Sequence, residues 1–426
     1  DLMLELPAII LTCVSIFGFI NHRYLKLPIT VALVLMALIS AFIVLGIDSL
    51  APTIGVSATV QHWLDEIDFN RTLMHGMLSF LLFAGALHVD LKNLIESKIH
   101  VGTLATIGVT LSTIVNGSGF YFLCHLFGFQ IDFILCLIFG AVVSPTDPVA
   151  VLALLKRVKI RKQLEATIGG ESLFNDGVAV VVYSILVTVA FGASIGHVGD
   201  VPDAATIVGL FVREAFGGAL LGIVSGYFAF LLMRRMDDYV IEVITTIALV
   251  SGGYTIALHL HVSGPIAMVV AGVFIGNTGR RLAMSEETRN HVTQFWHLID
   301  EILNAALFVL IGFQIIMLSY QSSVLCISIL CVPLAVGARW FSVSTPLQIL
   351  SPLIEKRRGD ITILTWAGLR GGISLALALS LPDISAKPLI LTATYTVVVF
   401  SILIQGLTIE KVIAWVQTKQ NPRNAP

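Results

Sequence analysis

Residues 164–192 read LEATIGGESLFNDGVAVVVYSILVTVAFG, an apolar run that carries Glu171 and Asp176 within it. About 20 mostly apolar residues suffice to cross the hydrocarbon core of a bilayer. A charged side chain in such a segment costs at least about 2.5–3.5 kcal/mol on insertion scales, so the two acids inside the run, beyond Glu165 at its start, demand a role. At helical spacing Ser172 and Asp176 are four apart and share a face, while Glu171 and Asn175 share the adjoining one.

Comparable apolar runs recur along the whole 426 residues, of which 56% are hydrophobic and only 12% charged. Soluble globular proteins carry roughly 25% charged residues. A large soluble core would also need polar faces on its outer helices, whereas here the polar residues gather in short connectors. The chain therefore reads as an all-α polytopic membrane protein. Its net charge of −2 is uninformative, and its dispersed Lys and Arg make no nucleic-acid patch. Cys13, Cys124, Cys136, Cys326 and Cys331 fall inside apolar runs without CxxC pairs, as small membrane-embedded hydrophobes do. The first run lacks a basic n-region and a clear cleavage site, which predicts a retained helix and not a signal peptide.

Apolar runs and their breakers predict about thirteen transmembrane helices, at 5–21, 27–47, 68–90, 99–127, 131–156, 164–192, 204–233, 240–260, 263–277, 293–318, 322–345, 360–381 and 388–416. Connectors after odd-numbered helices hold Arg23 and Lys26, Lys92 and Lys98, then Lys156, Arg157, Lys159, Arg161 and Lys162. The same side receives Arg234 and Arg235, Arg280, Arg281 and Arg289, Lys356, Arg357 and Arg358, and the tail residues Lys411, Lys419 and Arg423. The other side has only Arg71 and Lys387, beside acids such as Asp48, Asp65, Glu66, Asp200, Asp203 and Asp383. The positive-inside rule then predicts an outside N-terminus and a cytoplasmic C-terminus. About ten residues follow helix thirteen, so the helices themselves are expected to be the transport unit.

Helix one enters from outside and helix eight from inside. Two six-helix units of opposite orientation, helices one to six and eight to thirteen, would form an inverted repeat joined by helix seven. Helix five is interrupted at Ser144-Pro145-Thr146-Asp147-Pro148, roughly 140 residues after helix one begins; helix twelve carries Gly368-Leu369-Arg370-Gly371-Gly372, roughly 130 after helix eight begins. Interruptions in corresponding segments of two halves point to a transport site.

Few charges lie in the middle of these segments: Asp147, Glu171, Asp176, Arg339 and Arg370, with Arg213, Glu214, Asp300 and Glu301 nearer helix ends. A carboxylate with a hydroxyl one turn away makes an oxygen-lined pocket for a small hard cation. Burial penalises the charged form of a carboxylate, so Asp176 can hold either a proton or Na⁺, and that competition is sufficient for exchange. Asp147, followed by Pro148, has the pattern of an N-cap with Pro at the first helical position, a scaffold role. Thr146 offers a carbonyl and a hydroxyl in the unwound stretch. Arg370 is the counter-charge either for the half-helix C-termini or for Glu171; a Glu171–Arg370 pair would leave Asp176 as the free titrating group. His75, His88 and His297 are candidates for pH sensing.

The motifs Ser144–Pro148, Glu171–Gly177 and Gly368–Gly372, in this order and spacing, resemble those of the cation/proton antiporter superfamily, in the branch of bacterial NhaP proteins and animal NHE-type exchangers. The resemblance spans essentially the whole chain. It implies a secondary transporter, not an enzyme, performing electroneutral Na⁺(Li⁺)/H⁺ antiport without a cofactor, as a homodimer in the plasma membrane, here of a bacterium. It further implies a dimer domain of helices one to three (1–97) and eight to ten (237–320), and a core domain of helices four to six (98–193) and eleven to thirteen (321–417). Helix seven (194–236) would link them, and 418–426 would be a cytoplasmic tail. Helices five and twelve would cross at their breaks, and the core would move like an elevator against the dimer domain.

By position, Asp176 would bind the transported Na⁺ or proton with help from Ser172 and the Thr146 backbone, Asn175 would bridge to the broken helix, and Glu171 would pair with Arg370. Asn175 stands where electrogenic relatives have a second Asp, which implies one-for-one exchange. One departure concerns helix three, where several relatives carry an acid that reaches the ion. Here the stretch is Leu82-Phe83-Ala84-Gly85-Ala86, which leaves K⁺/H⁺ exchange in the same fold as the alternative. A cation channel would need a repeated filter or pore ring, and the sequence has none.

Overall fold

Residues that are apolar all round along 20 or more positions form helices that bury part of their surface and leave the rest apolar, and this is the organisation of the computed structural model. It describes residues 2–50, 61, 76–147, 151, 160–191, 204–318, 321–350 and 359–420. Among these residues every regular element is a helix: α1 (Leu2–Ile20), α2 (Ile29–Leu50), α3 (Leu78–Leu87), α4 (Lys98–Leu126), α5 (Phe133–Val142), α6 (Lys162–Phe191) and α7 (Ala204–Met233). They continue with α8 (Tyr239–Leu260), α9 (Gly264–Phe274), α10 (Glu286–Phe313), α11 (Ser322–Ile349), α12 (Asp360–Trp366), α13 (Gly372–Leu379) and α14 (Lys387–Lys419). Nine of the described helices are long and apolar enough to cross a membrane.

The partition of side chains is the reverse of a water-soluble protein. Leu11, Ile16 and Phe19 of α1 and Phe216, Leu220, Tyr227 and Phe228 of α7 are exposed, whereas Glu171, Asp176, Arg339 and Arg370 are buried. Exposed apolar bands of this extent match a lipid surrounding.

The two expected interruptions divide their helices differently. The helix expected over 131–156 ends at Val142, and residues 144–147 are irregular; Pro148 and nearly all of the continuation lie outside the described residues. The helix expected over 360–381 is two, α12 and α13, separated at Ala367–Gly371. The helix expected at 293 begins instead at Glu286, because the Ser285 hydroxyl caps it by accepting from the Thr288 N–H at 3.3 Å and Glu286 and Glu287 lie at its positive end. Residues 68–75 of helix three, with His75 and Arg71, are outside the described residues, as are Asp65, Glu66, Asp200, Asp203, Lys156, Arg157, Lys159, Lys356, Arg357, Arg358 and Arg423.

Three buried clusters frame the centre of the bundle. One joins α4, α5 and α6 to α11, α13 and α14 through Phe120, Phe139, Tyr183, Cys331, Leu377 and Ile390. Another joins α3 to α7, α8, α9 and α10 through Phe83, Met233, Val250, Met268 and Trp296. The third ties α2 and α10 to α13 and α14 through Val34, Phe308, Leu375 and Ile402. Helix α6 touches the first two, by Tyr183 and by Leu173, which puts its Glu171–Asp176 turn at their junction.

The α4–α5 hairpin holds the interrupted segment in place. Phe120 stacks on Phe139 with ring centroids 4.1 Å apart. A Cβ at Gly117 would come within 2.9 Å of the Cys136 carbonyl, and one at Gly140 would run into the Thr113 carbonyl. Both glycines are there for close backbone approach. Gly140→Leu is therefore expected to force α5 off α4 and to cost roughly 1–3 kcal/mol, read as a lower Tm of the detergent-solubilised protein. Gly252→Leu, at a position with nothing within 4 Å of the added Cβ, should leave Tm nearly unchanged; equal Tm for both variants would contradict this packing account.

Candidate functional site

The irregular stretches after α5 and after α12 meet. The Asp147 N–H donates to the Leu369 carbonyl at 2.7 Å, so the two breaks share a backbone hydrogen bond. Arg370, fully enclosed, donates from Nη1 to the Ser144 carbonyl and, at 3.1 Å, to the Pro145 carbonyl. These carbonyls belong to the irregular stretch just past the end of α5, where no helical partner is at hand, and a cation is also favoured near that negative end. The Arg370 N–H in turn donates to Ser401 Oγ of α14 at 2.9 Å. Gly371 presses against the Asp147 carboxylate and Gly368 against the Arg339 guanidinium, and a side chain at either would collide.

Helix α6 brings three of the expected site residues to this crossing. Asn175 clasps Thr146 from both ends of its amide: Oδ1 accepts from the Thr146 N–H at 3.3 Å, and Nδ2 donates to Thr146 Oγ1 at 2.8 Å. Thr146 Oγ1 and Ser172 Oγ share a hydrogen bond of 2.9 Å. Asp176, one turn on from Ser172, is 4% exposed. No described residue donates a hydrogen bond to its carboxylate, whereas Asn175, Ser172 and Thr146 are occupied with one another.

The expected Glu171–Arg370 pair does not form. Glu171 is held by Arg339 of α11, with Nη1 on Oε1 and Nη2 on Oε2 at 2.9 Å, and Arg339 Nη2 also reaches the Leu364 carbonyl of α12 at 3.2 Å. Arg370 lies at the break and turns its guanidinium to the α5 carbonyls, the other of its two expected roles. Both arginines sit inside apolar segments, so sequence spacing could not choose between them for Glu171; only the bidentate geometry does.

A cavity of about 460 Å³ reaches Asp176, Thr146 and Asp147 at one end and Ile29, Val89 and Glu165 at the other. The latter are at the ends of α2, α3 and α6 beside Lys26, Lys92 and Arg161. Asp300 and Glu301, expected near a helix end, lie in the middle of α10 and line this cavity with His297 and Asn304. The earlier start of α10 is the reason. Asn304 Nδ2 donates to Asp300 Oδ1 at 2.9 Å. His88 and His297 meet edge to face across the cavity wall, ring centroids 6.0 Å apart. The α3 wall is apolar here, with Leu78, Leu81, Leu82 and Gly85.

The transmembrane family of sodium/hydrogen exchangers matches residues 9–415. The Na⁺/H⁺ antiporter NhaP of Pseudomonas aeruginosa is 46% identical over 411 residues, covering 96% of this chain and 95% of that protein. The Na⁺/H⁺ antiporter NhaH of Halobacillus dabanensis is 34% identical over 418 residues, covering 97% of each. The solved structure of the sodium proton antiporter MjNhaP1 from Methanocaldococcus jannaschii at pH 8 shares the fold, with a TM-score of 0.74 over 98% of this chain and 99% of that one at 17% identity. With residues 9–415 matched, and relatives similar from end to end, the chain belongs to the sodium/hydrogen exchanger family.

Proposed function

We propose that this protein is a Na⁺/H⁺ antiporter in which one cation, Na⁺ or Li⁺, and one proton compete for the Asp176 carboxylate. A single observation carries the reading. Asp176 is a buried acid at the end of a cavity, beside the Ser172–Thr146 hydroxyl pair, while Glu171, Arg339 and Arg370 are all committed to other partners. One carboxylate that binds either one Na⁺ or one H⁺ exchanges them without net charge. Asp147 is assigned to the scaffold at the crossing, where its N–H bonds Leu369.

The bundle is read as thirteen membrane segments in two inverted repeats, with α12 and α13 as the halves of one segment. By the positive-inside rule the end bearing Lys26, Lys92 and Arg161 is cytoplasmic, so the cavity faces inward and the N-terminus outward, as in a multi-pass inner-membrane protein. Residues 98–193 and 321–417 would form the core, and 1–97 and 237–320 the dimer domain of a homodimer, linked by 194–236. An elevator movement is supported by the seam between these parts, where apolar knobs face glycines. A Cβ at Gly85 would meet Leu173 at 3.7 Å, and one at Gly177 would meet Ile266 at 2.8 Å. Among the described residues the buried Arg339–Glu171 pair and the Arg161–Asp360 pair both lie within the proposed core and would move with it. K⁺/H⁺ exchange is the second reading, favoured by the apolar α3 wall that gives the ion no additional carboxylate.

In acid-loaded proteoliposomes, external Na⁺ is expected to raise lumenal pH at the same rate with and without a membrane-potential clamp. Asp176→Asn should abolish this while leaving Tm unchanged. No cation-driven pH change from inserted wild-type protein refutes antiport; acceleration by the clamp refutes one-for-one exchange, and K⁺ outperforming Na⁺ selects the second reading. Separately, Arg339→Ala strands the buried Glu171 and should cost about 3–5 kcal/mol of stability, measured by thermal unfolding. Removing both charges, as Glu171→Gln with Arg339→Gln, should recover much of that loss. An Arg339→Ala protein as stable as wild type would show that the pair is incidental.

A further inference from the structure

Most hydroxyls of the membrane helices find a carbonyl of their own helix, and Ser172 at the site finds Thr146, but Ser374 finds no partner among the described residues. In the membrane helices most Ser and Thr side chains bond back to the carbonyl three or four residues earlier, as Ser328 does to Val324 at 2.8 Å, Thr392 to Pro388 at 2.7 Å and Thr396 to Thr392 at 2.8 Å. Ser374 has no such partner. It stands in the first turn of α13, and the residue four earlier is Arg370, which lies in the break and not in the helix. Ser374 is 0% exposed and its Oγ has no hydrogen bond among the described residues.

A buried hydroxyl left unpaired costs stability, and the neighbouring positions Leu375, Ala376, Leu377 and Ala378 are apolar. Ser97, Thr365 and Thr394 also hold buried hydroxyls without partners among the described residues, but of these four only Ser374 lines the cavity that reaches Asp176, Thr146 and Asp147. The positive end of α13 does not forbid a cation nearby, because the Asp147 carboxylate rests against Gly371 at that end. The opposite wall, at Leu82 and Gly85, supplies no oxygen from its side chains.

We propose that Ser374 Oγ is a further ligand of the transported cation, supplied by the second broken helix to the site that Asp176, Ser172 and Thr146 build from the first side. This rests on the reading of Asp176 as the ion-binding carboxylate. The hydroxyl is then satisfied by the cation and by nothing in the resting protein, so it contributes to cation affinity and selectivity and not to the fold.

The test compares wild type, Ser374→Ala, Ser374→Thr and Thr394→Val in the same proteoliposomes, reading KM for Na⁺ at fixed pH, with the Na⁺-induced rise in Tm of the purified proteins as a second readout. Ser374→Ala should raise KM about five- to tenfold, the value of one lost polar interaction, and shrink the Na⁺-induced Tm rise, with Tm in Na⁺-free buffer unchanged. Ser374→Thr, which keeps the hydroxyl, should retain most of the wild-type affinity, and Thr394→Val should match wild type. An unchanged KM in Ser374→Ala overturns the proposal, as does an equal change in Thr394→Val or a loss of Na⁺-free stability that accounts for the defect. Wild-type vesicles without exchange would instead overturn the antiport reading itself.

Discussion

The crossing of two interrupted helices is the constraint on which the rest of the site depends. Inside a bilayer no water satisfies an orphaned N–H or carbonyl, so a broken helix survives only where protein supplies the partners. Here the two breaks supply them to each other: Asp147 N–H to the Leu369 carbonyl, and the Arg370 guanidinium to the carbonyls of Ser144 and Pro145. That exchange fixes where Thr146 stands. It also requires glycine at 368 and 371, because Arg339 and Asp147 occupy the space a side chain would need. The motif glycines are consequences of close approach at the crossing, not of an unusual backbone angle.

The charges around the crossing follow from the same constraint. Each ionised group in a low-dielectric interior must be paired. Glu171 and Arg339 pair with each other, and Arg370 is taken up by carbonyls. Such a pair is weak evidence for net stability, since its desolvation cost is large, but losing one member leaves a stranded charge. The Asp147 carboxylate packs against Gly371 at the start of α13, and the Asp176 carboxylate has no protein donor among the described residues and contacts the cavity. Neutralising it requires something from solution, a proton or a cation. On the proposed reading, these pairs are what leave Asp176 to serve as the exchange site.

Much of this was legible in the sequence. Apolar runs of sufficient length gave the helices, and the motifs around Pro145 and Gly371 marked the breaks, because proline and clustered glycine are unsuited to helix interiors. The i, i+4 spacing placed Ser172 beside Asp176. The partner of Glu171 was not legible: Arg339 is 168 residues away in the chain, and only the bidentate geometry in the folded protein distinguishes it from Arg370. The first turn of α10 was also hidden, because Glu286, Glu287 and Arg289 break the apolar pattern although Ser285 caps them. With that turn unseen, Asp300 and Glu301 looked peripheral when they line the cavity.

Ligand number bears on what kind of binding this site can offer. Near Asp176 the two breaks and α6 give its own carboxylate, the Asp147 carboxylate packed against Gly371, and a few hydroxyl and carbonyl oxygens, and the α3 wall is apolar. A small alkali cation held by so few protein oxygens keeps part of its shell as water, for which a cavity of about 460 Å³ has room. Partial dehydration lowers the cost of binding and the cost of release together. A transporter needs that balance, since its ion must bind well enough to enter and weakly enough to leave. In the proposed site the hydroxyl pair would add selectivity by position, because Asn175 fixes Thr146 through two hydrogen bonds and Thr146 fixes Ser172 through a third. On the proposed reading, oxygens held in place beside Asp176 would discriminate by size while its carboxylate retains its alternative, the proton.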